Sequence, residues 1–282
     1  MPAVPDLHPP YNTPPLDARS RTLRSLMVRM LKGGNRGHIG STLSLIEIMR
    51  VLYDDIMRHD PKNPKWEARD VCVLSKGHGC IAQFAILADK GYFPMEELDI
   101  FCRTNSILGG HPDANKVPGV EASTGALGHG LSIGLGMALA ARAKKLDSRV
   151  FVVMGDGEIN EGSIWEAAMS ASKHKVTNLV AMVDYNKVQS AGFTRDIMDL
   201  EPLTDKWRAF GFDVVEVDGH DCDALRAALA PRAHATKPLC VICHTVKGKG
   251  LDFAENDPKW HHQSNIKADI FALMDEAFPP AA

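Results

Sequence analysis

Two short apolar runs, each ending on side chains with hard oxygens, constrain this chain more than any other feature. Phe151 to Met154 stops at Gly155-Asp156-Gly157, and Leu179 to Val183 stops at Asp184-Tyr185-Asn186. Runs of this length and composition read as strands, and the segment between them reads as a helix. Joined in that way, the strands should be parallel neighbours. Asp156 and Asn186 would then emerge side by side at the carboxyl edge of the sheet, where open α/β sheets bind their ligands. A carboxylate beside an amide oxygen suits Mg²⁺, which takes few protein ligands and keeps room for phosphate oxygens. Gly155-Asp156-Gly157 alone is an ordinary turn after a strand. Its pairing with Asn186 at the end of the next strand gives it chemical meaning.

The rest of the chain repeats the alternation. Helices are expected over Leu16 to Leu31, Ser44 to Met57, Cys80 to Asp89 and Pro94 to Cys102, with Gly37-His38-Ile39-Gly40 as a loop and Val71 to Leu74 as a buried strand. Beyond the central segment, strands over Val214 to Val217 and Leu239 to Val246 flank a helix over Asp221 to Ala230, and a last helix lies near Ile266 to Phe278. This pattern argues an α/β fold, a doubly wound and mainly parallel sheet with helices on both faces. Residues 1–15 carry six prolines and read as an extended tail; residues 16–282 show neither a repeat nor a dividing linker and read as one domain.

Composition removes several function classes. A net charge of −3 without a sizeable Lys/Arg cluster gives no reason to expect nucleic acid or a membrane surface as partner. No basic stretch followed by an apolar core opens the chain, so the expected location is cytoplasmic, and six scattered cysteines fit that compartment. Cys240-Val241-Ile242-Cys243-His244 matches a haem-attachment pattern but sits inside a strand-like run, so two buried core cysteines are the better reading. Ala122 to Ala141 lacks charge and could span a bilayer by length. Its five glycines, polar residues and His129 instead argue a Gly-rich turn followed by a buried helix.

Five of the twelve histidines, His38, His78, His111, His129 and His220, directly follow a glycine. Taken singly, each reads as a structural or solvated loop histidine. Together they point to a polar site lined by loops, in which imidazoles exchange protons near neutral pH. The adjacent pair His261-His262 is weak evidence for a metal, and no cysteine follows a nucleophile signal.

These residues resemble a known family. Gly155-Asp156-Gly157, followed after a helix and strand by Asp184-Tyr185-Asn186, looks like the thiamine diphosphate motif. Gly37-His38-Ile39-Gly40, Leu74-Ser75-Lys76-Gly77-His78-Gly79, Gly110-His111-Pro112, Ser123-Thr124-Gly125-Ala126-Leu127-Gly128-His129-Gly130 and Glu161-Gly162 occur in the order of the N-terminal portion of transketolase. The resemblance covers roughly residues 16–265. It departs from the usual pattern at Ile39, His129 and Tyr185, which leaves the metal motif intact and blurs the substrate contacts.

The resemblance implies thiamine diphosphate and Mg²⁺ as cofactors. Asp156, the Asn186 side chain and the Val188 carbonyl would hold the metal; His78, Gly125, Leu127, Gly157, Asn186 and His261 would contact the cofactor. His38, His111 and His261 would serve the sugar or sugar-phosphate substrate catalytically, and Glu161 would join a carboxylate relay at a subunit interface. The implied activity is transfer of a two-carbon ketol unit from a ketose to an aldose. The family's pyrimidine-binding domain is absent, so the expectation is the N-terminal subunit of a split transketolase, completed by a C-terminal-type chain, two of each. Rival readings are the α subunit of a 2-oxo acid dehydrogenase's decarboxylase, a 1-deoxyxylulose-phosphate synthase fragment, and a non-catalytic nucleotide-diphosphate binding module.

Overall fold

The computed structural model describes residues 11–280. Its helices are α1 (Ala18–Gly34), α2 (Ile39–Leu43), α3 (Ile46–Val51), α4 (Cys80–Asp89), α5 (Gly130–Ala143), α6 (Gly162–Lys173), α7 (Thr194–Ile197), α8 (Leu203–Ala209), α9 (Cys222–Ala228) and α10 (Ala268–Ala277). The strands are β1 (Arg36–Gly37), β2 (Val71–Leu74), β3 (Val150–Gly155), β4 (Leu179–Tyr185), β5 (Asp213–Asp218), β6 (Leu239–His244) and β7 (Gln263–Ser264). Five of them form a parallel sheet in the order β2-β3-β4-β6-β5, and β1 pairs with β7 in a small antiparallel ribbon.

The central strands are apolar at nearly every position because both faces are covered. Along β3, Phe151 and Val153 enter a core shared with α1, α3 and α4, while Val150, Val152 and Met154 face one shared with α5 and α6. β4 divides in the same way, Val180 and Met182 against Leu179, Ala181 and Val183. This period of two follows from the pleat. β5 lies at the sheet edge, and its Val215 and Glu216 are exposed. Cys240 and Cys243 are fully buried on β6, as the strand reading requires.

Some expectations need correction. Ile39-Gly40 is not loop: the His38 carbonyl accepts from the Thr42 amide (3.1 Å) and hydroxyl (2.7 Å), which starts α2 at once. The helix expected over Ser44 to Met57 is broken into α3 and a wider π turn, Leu52–Ile56, carrying Asp54 to its partners Arg19 and Lys90. Pro94 to Cys102 holds a 3₁₀ turn at Met95–Ile100 rather than an α-helix. α5 buries Leu131, Gly134, Leu135 and Ala138 against the sheet but exposes Ser132, Ile133 and Gly136, so one face only is covered. No helix among the described residues is long and apolar enough to cross a membrane. The expected tail lies largely outside the described residues; in its described part, Tyr11 packs against His244 with ring centroids 5.5 Å apart.

Candidate functional site

β3 and β4 are parallel neighbours, with Gly155 opposite Asp184, so Asp156 and Asn186 leave the sheet together at its carboxyl edge. There they help line a cavity of about 260 Å³. His38, His78, His111, Gly125, Leu127, Asp156, Gly157, Asn186, Val188 and His261 all line it. The remaining predicted residue, Glu161, does not: it is exposed at the start of α6, its stem against Gly128.

Asp156 is buried, and hydrogen bonds reach its carboxylate from the backbone amides of Gly157 (2.7 Å) and Lys187. Burial, and then the neighbouring Asp184 charge, push its carboxyl up to about 6. Asn186 Oδ1 accepts from the Val188 amide (3.1 Å), and the Val188 carbonyl accepts from Lys247 Nζ, Val188 and Lys247 both lining the cavity. These are hard oxygen donors, and a cation among them would relieve the poorly compensated Asp156. Gln189 lines the same cavity with its buried Nε2 lacking a hydrogen-bond partner, a donor suited to a phosphate oxygen. The residues present therefore fit a metal-bound diphosphate. No cluster of three or more His, Cys, Asp or Glu side chains suited to a metal occurs among the described residues, as expected where an amide and a carbonyl complete the donor set.

Opposite stands a wall of imidazoles from four separate segments. The His38 ring lies 5.2 Å from His78, 6.3 Å from His111, 5.3 Å from His261 and 4.6 Å from His262, centroid to centroid. Burial, then His262, His111 and the nearby lysines, push His38 down to about 4; burial and Lys247 push His261 down to about 3. His78 is lowered for the same first reason. These three rings are therefore neutral at pH 7, each with a donor and an acceptor nitrogen.

Two lysines were not anticipated as site residues. Lys76 is buried in an ion pair with Asp184, whose carboxylate also accepts from Ser44 Oγ (2.6 Å) and Thr245 Oγ1. Lys247 is also buried; its Nζ donates to the Val188 carbonyl (2.5 Å) and to His261 Nδ1 (2.9 Å). Burial, and then the Lys76 charge, lower it to about 8, against the opposing pull of Asp156. A side chain at Gly40 would bring its Cβ within 2.9 Å of Lys247 Cγ, so glycine there admits the lysine stem. Glu158 is a third omission: its buried carboxylate takes the Ser75 hydroxyl and the amides of Gly155 (3.0 Å) and Gly128 (3.1 Å), fastening three site loops. Lys76 stands inside a quoted motif and Lys247 in a lysine-glycine loop, but their contacts cross the sheet and leave no local pattern.

The family profile described as "Transketolase, thiamine diphosphate binding domain" matches residues 17–279. The chain belongs to the transketolase family. It is 45% identical over 248 residues to one of the subunits of the apulose-4-phosphate transketolase of Phocaeicola vulgatus, covering 88% of each chain. It is 43% identical over 249 residues to the 6-deoxy-6-sulfo-D-fructose transketolase subunit SqwG of a Clostridium species, covering 88% of this chain and 90% of the relative. Among solved structures, a Pichia stipitis transketolase in complex with sedoheptulose-7-phosphate superposes with a TM-score of 0.87 at 32% identity, covering 93% of this chain and 40% of that one. The chain thus spans less than half the length of that transketolase, and close to the whole of the two subunits.

Proposed function

We propose that this chain is the diphosphate-binding subunit of a two-chain, Mg²⁺-dependent transketolase that moves a two-carbon ketol unit from a ketose to an aldose. Residues 16–282 act as one unit in this reading, and a second chain of C-terminal type completes the site, two of each. The observation that carries it is the convergence of Asp156, Asn186 and Val188 with the wall of histidines across one cavity. Relatives named as subunits, and the partial coverage of a longer transketolase, support the second chain. So do the exposed apolar side chains Leu127, Ile133, Met169, Ile197 and Met198 on or beside α5, α6 and α7. Glu161, exposed next to Leu127 and Gly128, is assigned to that interface.

Asp156, Asn186 and the Val188 carbonyl would hold Mg²⁺ against the cofactor's diphosphate. A carbonyl has two lone pairs, so Val188 can serve the metal while keeping Lys247. Thiamine diphosphate supplies, when bound, a carbon that acts as an electron sink for cleaving the bond beside a carbonyl. His78, Gly125, Leu127 and Gly157 line the space it would occupy. His261 accepts the Lys247 proton at Nδ1, so its neutral tautomer carries hydrogen on Nε2 and donates from there to a sugar oxygen. His38 and His111 reach other hydroxyls, and imidazoles can take up and return protons there. A wall of imidazoles suits a polyhydroxylated substrate better than a short 2-oxo acid.

The test is co-expression with a C-terminal-type transketolase chain, followed by titration with thiamine diphosphate with and without Mg²⁺ and an assay over a panel of ketose donors. Tight Mg²⁺-dependent binding and ketol transfer only with both chains are expected. Preference for an adenine nucleotide, or binding indifferent to Mg²⁺, would refute the reading.

A further inference from the structure

A buried group of charged and polar side chains has no part in the chemistry above. Arg24 on α1, Glu47 on α3 and His220 in the turn between β5 and α9 are all buried, and none of them lines the site cavity. Arg24 Nη1 and Nη2 donate to the two Glu47 oxygens (2.6 and 3.1 Å), and Glu47 Oε2 also meets His220 Nδ1 at 2.8 Å. The other ring nitrogen of His220, Nε2, accepts from the Val246 amide (2.9 Å). A ring nitrogen that accepts carries no hydrogen, so the hydrogen of His220 sits on Nδ1 and is donated to Glu47. A buried ion pair is by itself weak evidence of stability. What it holds in place is the informative part.

It holds the loop that carries Lys247. His220 takes the Val246 amide on one side of that lysine, and Arg24 Nε gives to the Lys249 carbonyl (3.2 Å) on the other. Between these points the Gly248 amide donates to the Gly40 carbonyl (3.1 Å), and the Lys247 carbonyl accepts from the Asn256 amide (2.8 Å). Gly248 has φ +87°, and a Cβ there would lie 2.3 Å from the Ala254 carbonyl oxygen, so the loop keeps one path. From it the Lys247 side chain passes Gly40 and brings Nζ to the Val188 carbonyl (2.5 Å) and to His261 Nδ1 (2.9 Å). An ammonium only donates, so His261 keeps its hydrogen on Nε2. Each of the two histidines thus has its tautomer set by a neighbour, and the segment Val246-Lys247 joins them.

We propose that His220 is a positioning residue: by holding the Val246 amide it places Lys247, and through that lysine it keeps His261 in the tautomer with hydrogen on Nε2. Arg24 and Glu47 orient the His220 ring for this task. The inference rests on the ketol-transfer reading only for what His261 then does, which is to donate from Nε2 to a sugar oxygen. The placement itself needs no substrate. Outer partners of this kind commonly matter to a site about as much as the groups they orient.

Two substitutions separate positioning from mere support, because a Gln amide reaches the place of His Nε2 and an Asn amide that of Nδ1. His220→Gln keeps an acceptor for the Val246 amide and gives up Glu47; His220→Asn keeps Glu47 and gives up the amide. The full chain is labelled with ¹⁵N-histidine at pH 7, and the His261 ring signals are assigned by their loss in His261→Asn. In the wild type and in His220→Gln, His261 Nδ1 should resonate as a bare nitrogen. In His220→Asn the signal should move to an average of two tautomers, although both variants melt lower by comparable amounts. With the C-terminal-type chain present, turnover should fall at least about tenfold in His220→Asn and stay within about threefold in His220→Gln. Lys247→Met leaves the buried network whole and should average the His261 signal too, which supplies the same test where the Asn variant does not fold. An averaged signal in the wild type, an unmoved signal in His220→Asn or Lys247→Met, or equal movement in both His220 variants overturns the proposal. Absence of ketol transfer by the wild-type pair defeats the functional reading instead, while the His261 signal still decides the positioning.

Discussion

The molecule holds two kinds of buried or half-buried charge, and they are treated in opposite ways. Below the site, Arg24 is completely buried, yet its guanidinium reaches both Glu47 oxygens (2.6 and 3.1 Å). Glu47 also accepts from His220 Nδ1 (2.8 Å), and His220 Nε2 takes the Val246 amide (2.9 Å). Arg24 Nε caps the Lys249 carbonyl (3.2 Å), so the network grips the loop bearing Lys247 from both sides. At the cavity, by contrast, the hydrogen bonds to the buried Asp156 carboxylate come from backbone amides. Charges paired by hydrogen bonds inside the fold set geometry; a buried carboxylate held only by backbone amides keeps lone pairs for a cation.

This contrast can be broken at either end. The largest effect on binding should come from Asp156→Ala, which removes a buried carboxylate, held only by backbone amides, that a metal would need. Mg²⁺-dependent thiamine diphosphate affinity should fall at least about 100-fold, roughly 2.7 kcal/mol, in calorimetric titration. The melting temperature should hold or rise, and retained cofactor affinity would refute the metal assignment. The mirror case is Glu47→Gln. It strands a buried guanidinium, so stability should drop by roughly 3 kcal/mol in denaturant titration. An unchanged midpoint would mean the network is not structural.

Acid should probe the histidine wall next. His38, His78 and His261 have folded-state values below the ordinary 6.5, with His38 at about 4 and His261 at about 3. From about pH 6.5 downward the unfolded chain takes up protons that these folded rings refuse, so stability falls as pH falls, and the loss levels off once the folded rings titrate. The groups facing His38 are His262, His111, Lys247 and Lys76, all cationic or able to become so, which keeps the sign fixed. In thermal melts between pH 7 and 4, His38→Asn should flatten this slope; an identical slope would show that the ring is not poised as described. The smallest effect belongs to Lys32→Ala, at an exposed pair with Asp275 (2.6 Å), where a change within about 0.5 kcal/mol is expected. A larger loss would mean that solvent-facing pairs matter here too.

Much of this architecture can be read from the chain itself, for identifiable reasons. β3 and β4 are unbroken apolar runs that end on Asp156 and Asn186, and parallel pairing with a covering helix leaves those side chains one destination. The glycine-histidine loops declare themselves by composition. What stays hidden depends on approach through space: Lys247 reaches Val188 and His261, and Gln189 reaches the space beside Gly157, with no periodicity to announce either. Helix ends are misread where a backbone carbonyl, such as that of His38, recruits the following turn. The half-exposed face of α5 is missed because an uncharged sequence looks the same whether it is covered by its own fold or left for another surface.

The two-residue ribbon of β1 and β7 has a consequence in time. Gly37 lies opposite Gln263, which ties the segment carrying His38 to the one carrying His261 and His262. A chain emerging from the ribosome folds its early elements first. Asp156, Asn186 and Val188 are all made well before Gln263, so that end of the cavity can take shape while the histidine wall is still open. The wall can close only after Gln263 and Ser264 have been synthesised, so in the proposed reading the sugar-facing side of the cavity takes shape after the metal-facing side.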